Sequence, residues 1–206
     1  MEELELAEKL AKFATPTLYE VSPRVQALLP STAPLYRPIQ LWGKAYPVLT
    51  ATGDNAAIHR AVAKAPEGSV LVVATGQDTT RGYWGEVLME AALAKGIRGL
   101  IIDGGVRDTN VLRERLFPVF CGAVAIPGTS KDRVGILNQP LMIAQVLIRP
   151  GDFIVGDGDG VVVVQADVAT EVLEAAEARV QKELRMIERI RLGESTLDLL
   201  NVKNEE

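Results

Sequence analysis

With 206 residues, 48% hydrophobic and 24% charged, the chain is long enough for one domain with a sizeable core and too short for two ordinary ones. A net charge of −5 without a basic cluster argues against nucleic acid as its main partner. One cysteine, Cys121, excludes an internal disulfide and makes the cytoplasm the default location. One histidine, His59, excludes most His-rich metal centres.

The first residues, Met1-Glu2-Glu3-Leu4-Glu5, have neither the basic start nor the apolar centre of a signal peptide. Residues 2–13 read as an amphipathic helix with Leu4, Leu6, Leu10 and Phe13 in a stripe. Thr15-Pro16 restarts a helix expected over Thr17 to Leu29, broken near Pro23. Residues 39–52 read as a strand pair bending at Gly43 or Pro47. A β–α alternation follows. Gly53-Asp54-Asn55 precedes a helix to about Ala65, and Ser69 to Thr75 is a buried strand. Residues 84–95 form a helix stopped at Lys95-Gly96. Leu100 to Asp103 is the next strand and Thr109 to Arg115 a short helix. Val119 to Ala125, Met142 to Ile148, Phe153 to Val155 and Val161 to Val164 are further strands. The apolar runs are strand-length, far below a membrane span.

Gly156-Asp157-Gly158-Asp159-Gly160 reads as a hairpin turn, since no glutamate stands where a calcium loop needs one. Asp167 is expected to cap a long helix over 168–192. Its stripe of Val172, Leu173, Ala176, Val180, Leu184, Ile187 and Ile190 needs either the core or a neighbouring subunit. No repeat or linker divides the chain. The expectation is one domain over 1–206: N-terminal helices in 2–29, an α/β core over 39–165, and the C-terminal helix over 168–192.

The chemistry concentrates at Ile101-Ile102-Asp103-Gly104-Gly105-Val106-Arg107-Asp108, an apolar strand running into a glycine pair and an Arg–Asp dipeptide at a helix start. Glu86 lies 20 intervening residues upstream of Arg107. One reading is plain: Asp108 caps its helix, Gly104-Gly105 is a tight turn, and Arg107 pairs with Glu86. The other is a site, because strand ends feeding helix starts are where open α/β sheets place ligands. Mg²⁺ needs only one or two carboxylates plus water. Asp108 supplies one, Glu86 orients a metal-bound water, and Arg107 grips a substrate carboxylate through paired hydrogen bonds.

Other motifs carry less. Gly76 to Gly82 lacks the P-loop ending and dinucleotide spacing. Cys121 reads as a buried filler and His59 as a structural residue without a catalytic partner. Lys131 is either a solvated loop lysine or a substrate contact.

The residues together resemble the regulator of ribonuclease activity A-like family, which includes 4-hydroxy-4-methyl-2-oxoglutarate aldolases. The resemblance spans roughly Leu10 to Arg191. It rests on Gly53-Asp54-Asn55, Gly85-Glu86-Val87-Leu88, Gly104 to Asp108, Pro150-Gly151-Asp152 and Gly158 to Val161. Active members carry an acidic residue, 20 intervening residues, then Arg-Asp, a spacing that Glu86 and Arg107-Asp108 match, although aspartate is the usual first residue.

The resemblance implies an α/β fold of the swivelling β/β/α type, assembled as a homotrimer or a dimer of trimers. It implies Asp108 as direct ligand of Mg²⁺ (or Mn²⁺), with Glu86 and an adjacent subunit's Glu183 acting through water. Arg107 and the backbone amides of Gly85, Glu86, Val87 and Leu88 would hold the pyruvate portion, while Asn55 and Lys131 contact the distal part. The implied activity is a metal-dependent lyase acting through a pyruvate enolate. It would cleave 4-hydroxy-4-methyl-2-oxoglutarate-like substrates by retro-aldol reaction and decarboxylate oxaloacetate. The sequence names no base for the aldol step; a water on the metal or on Arg107 is the expectation. Two alternatives are a non-enzymatic, protein-binding regulator of a ribonuclease, and a Schiff-base aldolase using Lys131 or Lys64.

Overall fold

The valine-rich run Ser69–Ala74 shows no polar alternation because both of its faces are covered. Leu71 and Val73 face one apolar cluster; Val70, Val72 and Ala74 face another. The same division holds at Val161–Val164, whose even and odd positions join different clusters. A central sheet with cover on both sides follows from these runs.

The computed structural model describes residues 2–28 and 32–203. It begins with α1 (Glu2–Leu10), α2 (Thr15–Glu20), β1 (Val25–Leu28), β2 (Ala33–Pro34) and β3 (Leu41–Leu49). The α/β alternation is α3 (Ala56–Lys64), β4 (Ser69–Ala74), β5 (Gly82–Trp84), α4 (Glu86–Ala94), β6 (Gly99–Val106), α5 (Thr109–Glu114) and β7 (Val119–Val124). Then come β8 (Ile136–Leu137), β9 (Leu141–Ile143), β10 (Val146–Ile148), β11 (Phe153–Gly156) and β12 (Val161–Val164). A 3-10 turn (Ala166–Val168) leads into α6 (Ala169–Arg191) and α7 (Thr196–Leu199).

The main sheet runs β1-β12-β11-β3-β4-β6-β7-β2, with β5 beside β6 and β8 beside β3. β3, β4, β6 and β7 are parallel, while β1, β12 and β11 join antiparallel. Helices α3, α4 and α5 cover one face through Ile58, Met89 and Leu112. The β9–β10 hairpin covers the middle cluster through Ile143 and Ile148. α1, α2 and α6 close the third cluster through Leu10, Leu18, Val172 and Ala176. The fold is mixed α/β with a long C-terminal helix, as expected.

Several elements differ from their sequence reading. The helix expected to reach Leu29 ends at Glu20, and Val25–Leu28 is a strand paired with all four residues of β12. Tertiary pairing with the all-valine β12 overrides the helical pattern beyond Pro23; Leu29 itself lies outside the described residues. Residues 39–52 hold one nine-residue strand rather than a pair. It is shared between β11 at Leu41–Lys44 and β4 at Lys44–Leu49. Met142 to Ile148 is instead a hairpin, reversed at Ala144 and Gln145, both at positive φ. Asp167 does not cap α6; Arg24 holds its carboxylate, and α6 starts without a side-chain cap.

The glycine pair is not a turn. Gly104 and Gly105 lie inside β6, which continues to Val106. A Cβ on Gly105 would stand 2.5 Å from the Arg81 carbonyl oxygen, so only glycine lets β5 pack so closely. Along α6, Val172 and Ala176 are buried, whereas Leu184, Ile187 and Ile190 are 38–48% exposed. The core therefore covers only the first half of that stripe. Among the described residues no helix is long and apolar enough to cross a membrane.

Candidate active site

The loops that leave the C-terminal ends of β3, β5, β6 and β7 converge on one end of the sheet, as ligand sites in parallel sheets do. They enclose a cavity of about 280 Å³ lined by Asn55, His59, Tyr83, Trp84, Gly85, Val87, Leu88, Arg107, Asp108, Gly128, Thr129 and Lys131. Arg107 and Asp108 also line an adjoining cavity of about 560 Å³, together with Glu86.

Asp108 takes the left-handed conformation, φ 57° and ψ 36°, and makes no side-chain cap to α5. Its Oδ2 instead accepts the Glu86 backbone N–H at 3.0 Å, which places the carboxylate at the N-terminus of α4. The plain reading of Asp108 as the cap of its own helix is thereby corrected: it caps the neighbouring one. The Arg107 N–H donates to the carbonyl of Trp84, the last residue of β5, at 2.8 Å, so the end of β6 is joined to the β5–α4 junction twice. Arg107 Nε lies 3.8 Å from Asp108 Oδ2, and Glu86 is not its partner. Gly85 makes this approach possible, because a Cβ there would stand 2.3 Å from Asp108 Oδ2.

The first intrahelical bond of α4 is Met89 N–H to the Gly85 carbonyl. The N–H groups of Val87 and Leu88 therefore lack intrahelical acceptors beside the cavity, an arrangement suited to an anion. The Glu86 N–H differs from expectation, since it already serves Asp108.

Asn55 is buried and its orientation is fixed. Its Nδ2 donates to the Tyr83 carbonyl at 2.9 Å, which leaves Oδ1 as a buried acceptor with no partner among the described residues. A buried orphan acceptor costs about 1–3 kcal/mol, so a ligand donor is its natural complement. His59 follows Asn55 by four residues and shares its helix face. Burial, with help from the nearby Lys131 charge, lowers the His59 pKa below its ordinary value, so its ring is neutral at pH 7. The structural reading of His59 missed this place in the cavity. The four-residue step from Asn55 was the available signal.

Lys131 lies on the exposed loop after β7 and lines the cavity, while Lys64 sits exposed at the end of α3 outside it. Glu183 pairs with Arg179 at 2.8 Å on α6 and lines neither cavity within the chain. Cys121 is buried, and burial pushes its thiol up to about 11. Among the described residues no three His, Cys, Asp or Glu gather as a metal cage. Asp108, with Glu86 lining the same cavity, fits a hard divalent cation that keeps most of its waters, and does not fit a thiolate or imidazole centre.

A family model, RraA-like (Aldolase/RraA), matches residues 15–163. The chain belongs to that family. A relative from Halalkalibacterium halodurans, named "Putative 4-hydroxy-4-methyl-2-oxoglutarate aldolase", is 37% identical over 146 residues, 71% of this chain and 70% of that protein. An uncharacterized Pseudomonas syringae protein superposes with a TM-score of 0.83 at 30% identity, covering 93% of this chain and 90% of the other. The RNA-processing inhibitor RraA from a Thermus species gives 0.68 at 26% identity, covering 73% and 92%. The aldolase-named relatives support an aldolase-type activity for this RraA-like chain, and its other kin include an RNA-processing inhibitor.

Proposed function

We propose that the protein is a divalent-metal-dependent lyase that releases pyruvate from 4-hydroxy-4-methyl-2-oxoglutarate-like substrates and decarboxylates oxaloacetate. The observation that carries this reading is the single cavity uniting Arg107, Asp108 and the free N–H groups of α4 with Asn55, His59 and Lys131. Arg107 and the Val87 and Leu88 N–H groups bind the 2-oxo acid carboxylate. Asp108 would hold Mg²⁺ or Mn²⁺, with Glu86 orienting its water, and the ion would supply Lewis acidity toward the keto acid.

The distal half of the substrate meets a cation and an acceptor. Lys131 attracts its carboxylate, and Asn55 Oδ1 accepts the hydrogen bond of the C4 hydroxyl. His59, neutral at pH 7, is the side chain able to take that hydroxyl proton as the C3–C4 bond breaks. Oxaloacetate loses CO₂ and has no such proton. A homotrimer, or a dimer of trimers, would cover the exposed half of α6 and bring the partner's Glu183 toward the metal waters. A cytoplasmic location accords with the reduced single cysteine.

The test is pyruvate release from oxaloacetate and from 4-hydroxy-4-methyl-2-oxoglutarate, before and after EDTA. Activity should vanish with EDTA and return with Mg²⁺ or Mn²⁺; full activity after thorough metal removal would overturn the reading. A second reading, a protein-binding ribonuclease regulator, is favoured by the likeness to the Thermus inhibitor. Retrieval of a ribonuclease, together with no turnover of either acid, would reverse the order.

A further inference from the structure

We propose that Asp54 is a positioning residue: its buried carboxylate locks the Lys131 loop onto the start of α3 and so fixes Lys131 relative to Asn55 in the cavity. This rests on the reading of the site given above, and it concerns a residue that touches no substrate.

The observation is a single carboxylate with four donors. Asp54 is 1% exposed. Its Oδ1 accepts the Ala56 N–H at 2.9 Å, at the start of α3. Its Oδ2 accepts the Ser130 hydroxyl at 2.7 Å and the N–H groups of Asp132 at 2.6 Å and Arg133 at 3.2 Å. Burial pushes the Asp54 pKa up, but these donors outweigh it and hold it at about 2, so the group is ionised whenever the protein is folded at neutral pH.

Lys131 is thus bracketed. Both of its chain neighbours bond to Asp54, while its own side chain stays exposed. Backbone bonds complete the clasp: Asn55 N–H to the Ser130 carbonyl at 3.0 Å and Ser130 N–H to the Gly53 carbonyl at 2.9 Å. The other side of the Gly53–Asn55 turn is equally fixed. The Gly53 N–H donates to the Tyr83 hydroxyl at 2.6 Å, which donates to Asp78 Oδ2 at 2.7 Å. Asn55 is therefore tied to the β5 strand that leads into α4, and the Lys131 loop is tied to Asn55. Removing the Asp54 carboxylate loosens the second link, leaving it only its two backbone bonds, and leaves the first intact.

An Asp54→Asn substitution keeps the size and turns one oxygen into a donor facing donors. The distal charge then loses its fixed place, whereas Arg107, Asp108 and α4 keep theirs. The effect should fall on substrates with a distal carboxylate. For 4-hydroxy-4-methyl-2-oxoglutarate, KM should rise about tenfold or more with a smaller change in kcat. Deuterium exchange into the methyl group of pyruvate, which has no distal group, should stay within about twofold of the wild type. Adding Lys131→Ala to Asp54→Asn should change KM little beyond the Lys131→Ala effect alone, since both act through one charge.

The experiment is this pair of assays on wild type, both single variants and the double variant, with hydrogen exchange of residues 128–134 followed alongside. Equal loss on both substrates, or full additivity of the two substitutions, overturns the proposal. If Asp54→Asn does not fold, Ser130→Ala removes one donor and should shift KM the same way by less; no shift overturns the proposal. A wild type inactive on both acids refutes the lyase reading alone. The clasp is then judged by hydrogen exchange: selective loss of protection in Asp54→Asn upholds it, and unchanged protection overturns it.

Discussion

Gly85→Ala adds one methyl group where the cavity is tightest. The backbone there is extended, φ −161° and ψ −166°, so alanine brings no conformational strain. The new carbon would stand 2.3 Å from Asp108 Oδ2, 3.2 Å from Asp108 Cγ and 3.1 Å from Arg107 Cγ. An ordinary carbon–oxygen contact is about 1 Å longer, so the carboxylate must swing away and lose its 3.0 Å bond from the Glu86 N–H. A hydrogen bond to a charged group is worth about 1.5–3 kcal/mol, and the half-exposed setting of Asp108 lowers that. Alanine returns about 0.4–1 kcal/mol by restricting the unfolded chain. The net loss of stability should therefore be about 1 kcal/mol or less. Activity should suffer far more, because an error of about 1 Å at a reacting centre can reduce rates about a hundredfold. Metal-dependent oxaloacetate decarboxylation and urea unfolding of the same preparation measure the two effects. Decarboxylation at the wild-type rate in Gly85→Ala would refute the placement of Asp108 as the metal-holding carboxylate.

Two further outcomes are expected. His59→Asn should slow retro-aldol cleavage by about a hundredfold and leave oxaloacetate decarboxylation nearly unchanged, as only the first reaction has a hydroxyl proton to remove; equal losses in the two assays would exclude His59 as the base. Asp54 should also govern acid stability. Its folded pKa, about 2, lies below the unfolded value near 3.9, so its contribution is fully present above about pH 4 and disappears as pH falls toward 2. The difference is worth about 2.6 kcal/mol, of which roughly two-thirds is lost by pH 2.5. Urea unfolding at pH 6 and pH 2.5 should show that much less pH dependence in Asp54→Asn, and identical dependence in both proteins would refute the assignment.

Most of the α/β alternation from Gly53 to Val124 was legible because its helices keep their period and its strands are short apolar runs punctuated by glycine; the three-residue β5 was not. The edges of the sheet were not. Val25–Leu28 becomes a strand only through β12, more than 130 residues away, and local pattern holds no trace of that partner. The spacing of Glu86 and Arg107-Asp108 joins two loops that the fold brings side by side, and Asn55 and Lys131 line one cavity with Arg107 and Asp108. What the spacing hid was direction: Asp108 looked like the cap of the helix after it and caps the one before it. His59 was readable only through its four-residue step from Asn55, because the other residues that line its cavity come from loops distant in sequence. Gly53-Asp54-Asn55 reads in sequence only as the stretch before a helix; one donor to the Asp54 carboxylate is the local Ala56 N–H, and the other three appear only when residues 130–133 fold over it.

The bond between Asp108 and the Glu86 N–H joins residues 22 positions apart, across one helix, one turn and one strand. That number is a length gauge. Deleting a residue within α4 would rotate everything after it by about 100°. Deleting one within β6 would exchange the faces of every side chain beyond the gap. Either change would separate the two ends of the gauge while leaving each residue type intact. The span from Glu86 to Asp108 should therefore tolerate substitution along the outer face of α4 far better than any change of length, and variation in length should be confined to the loops beyond its two ends.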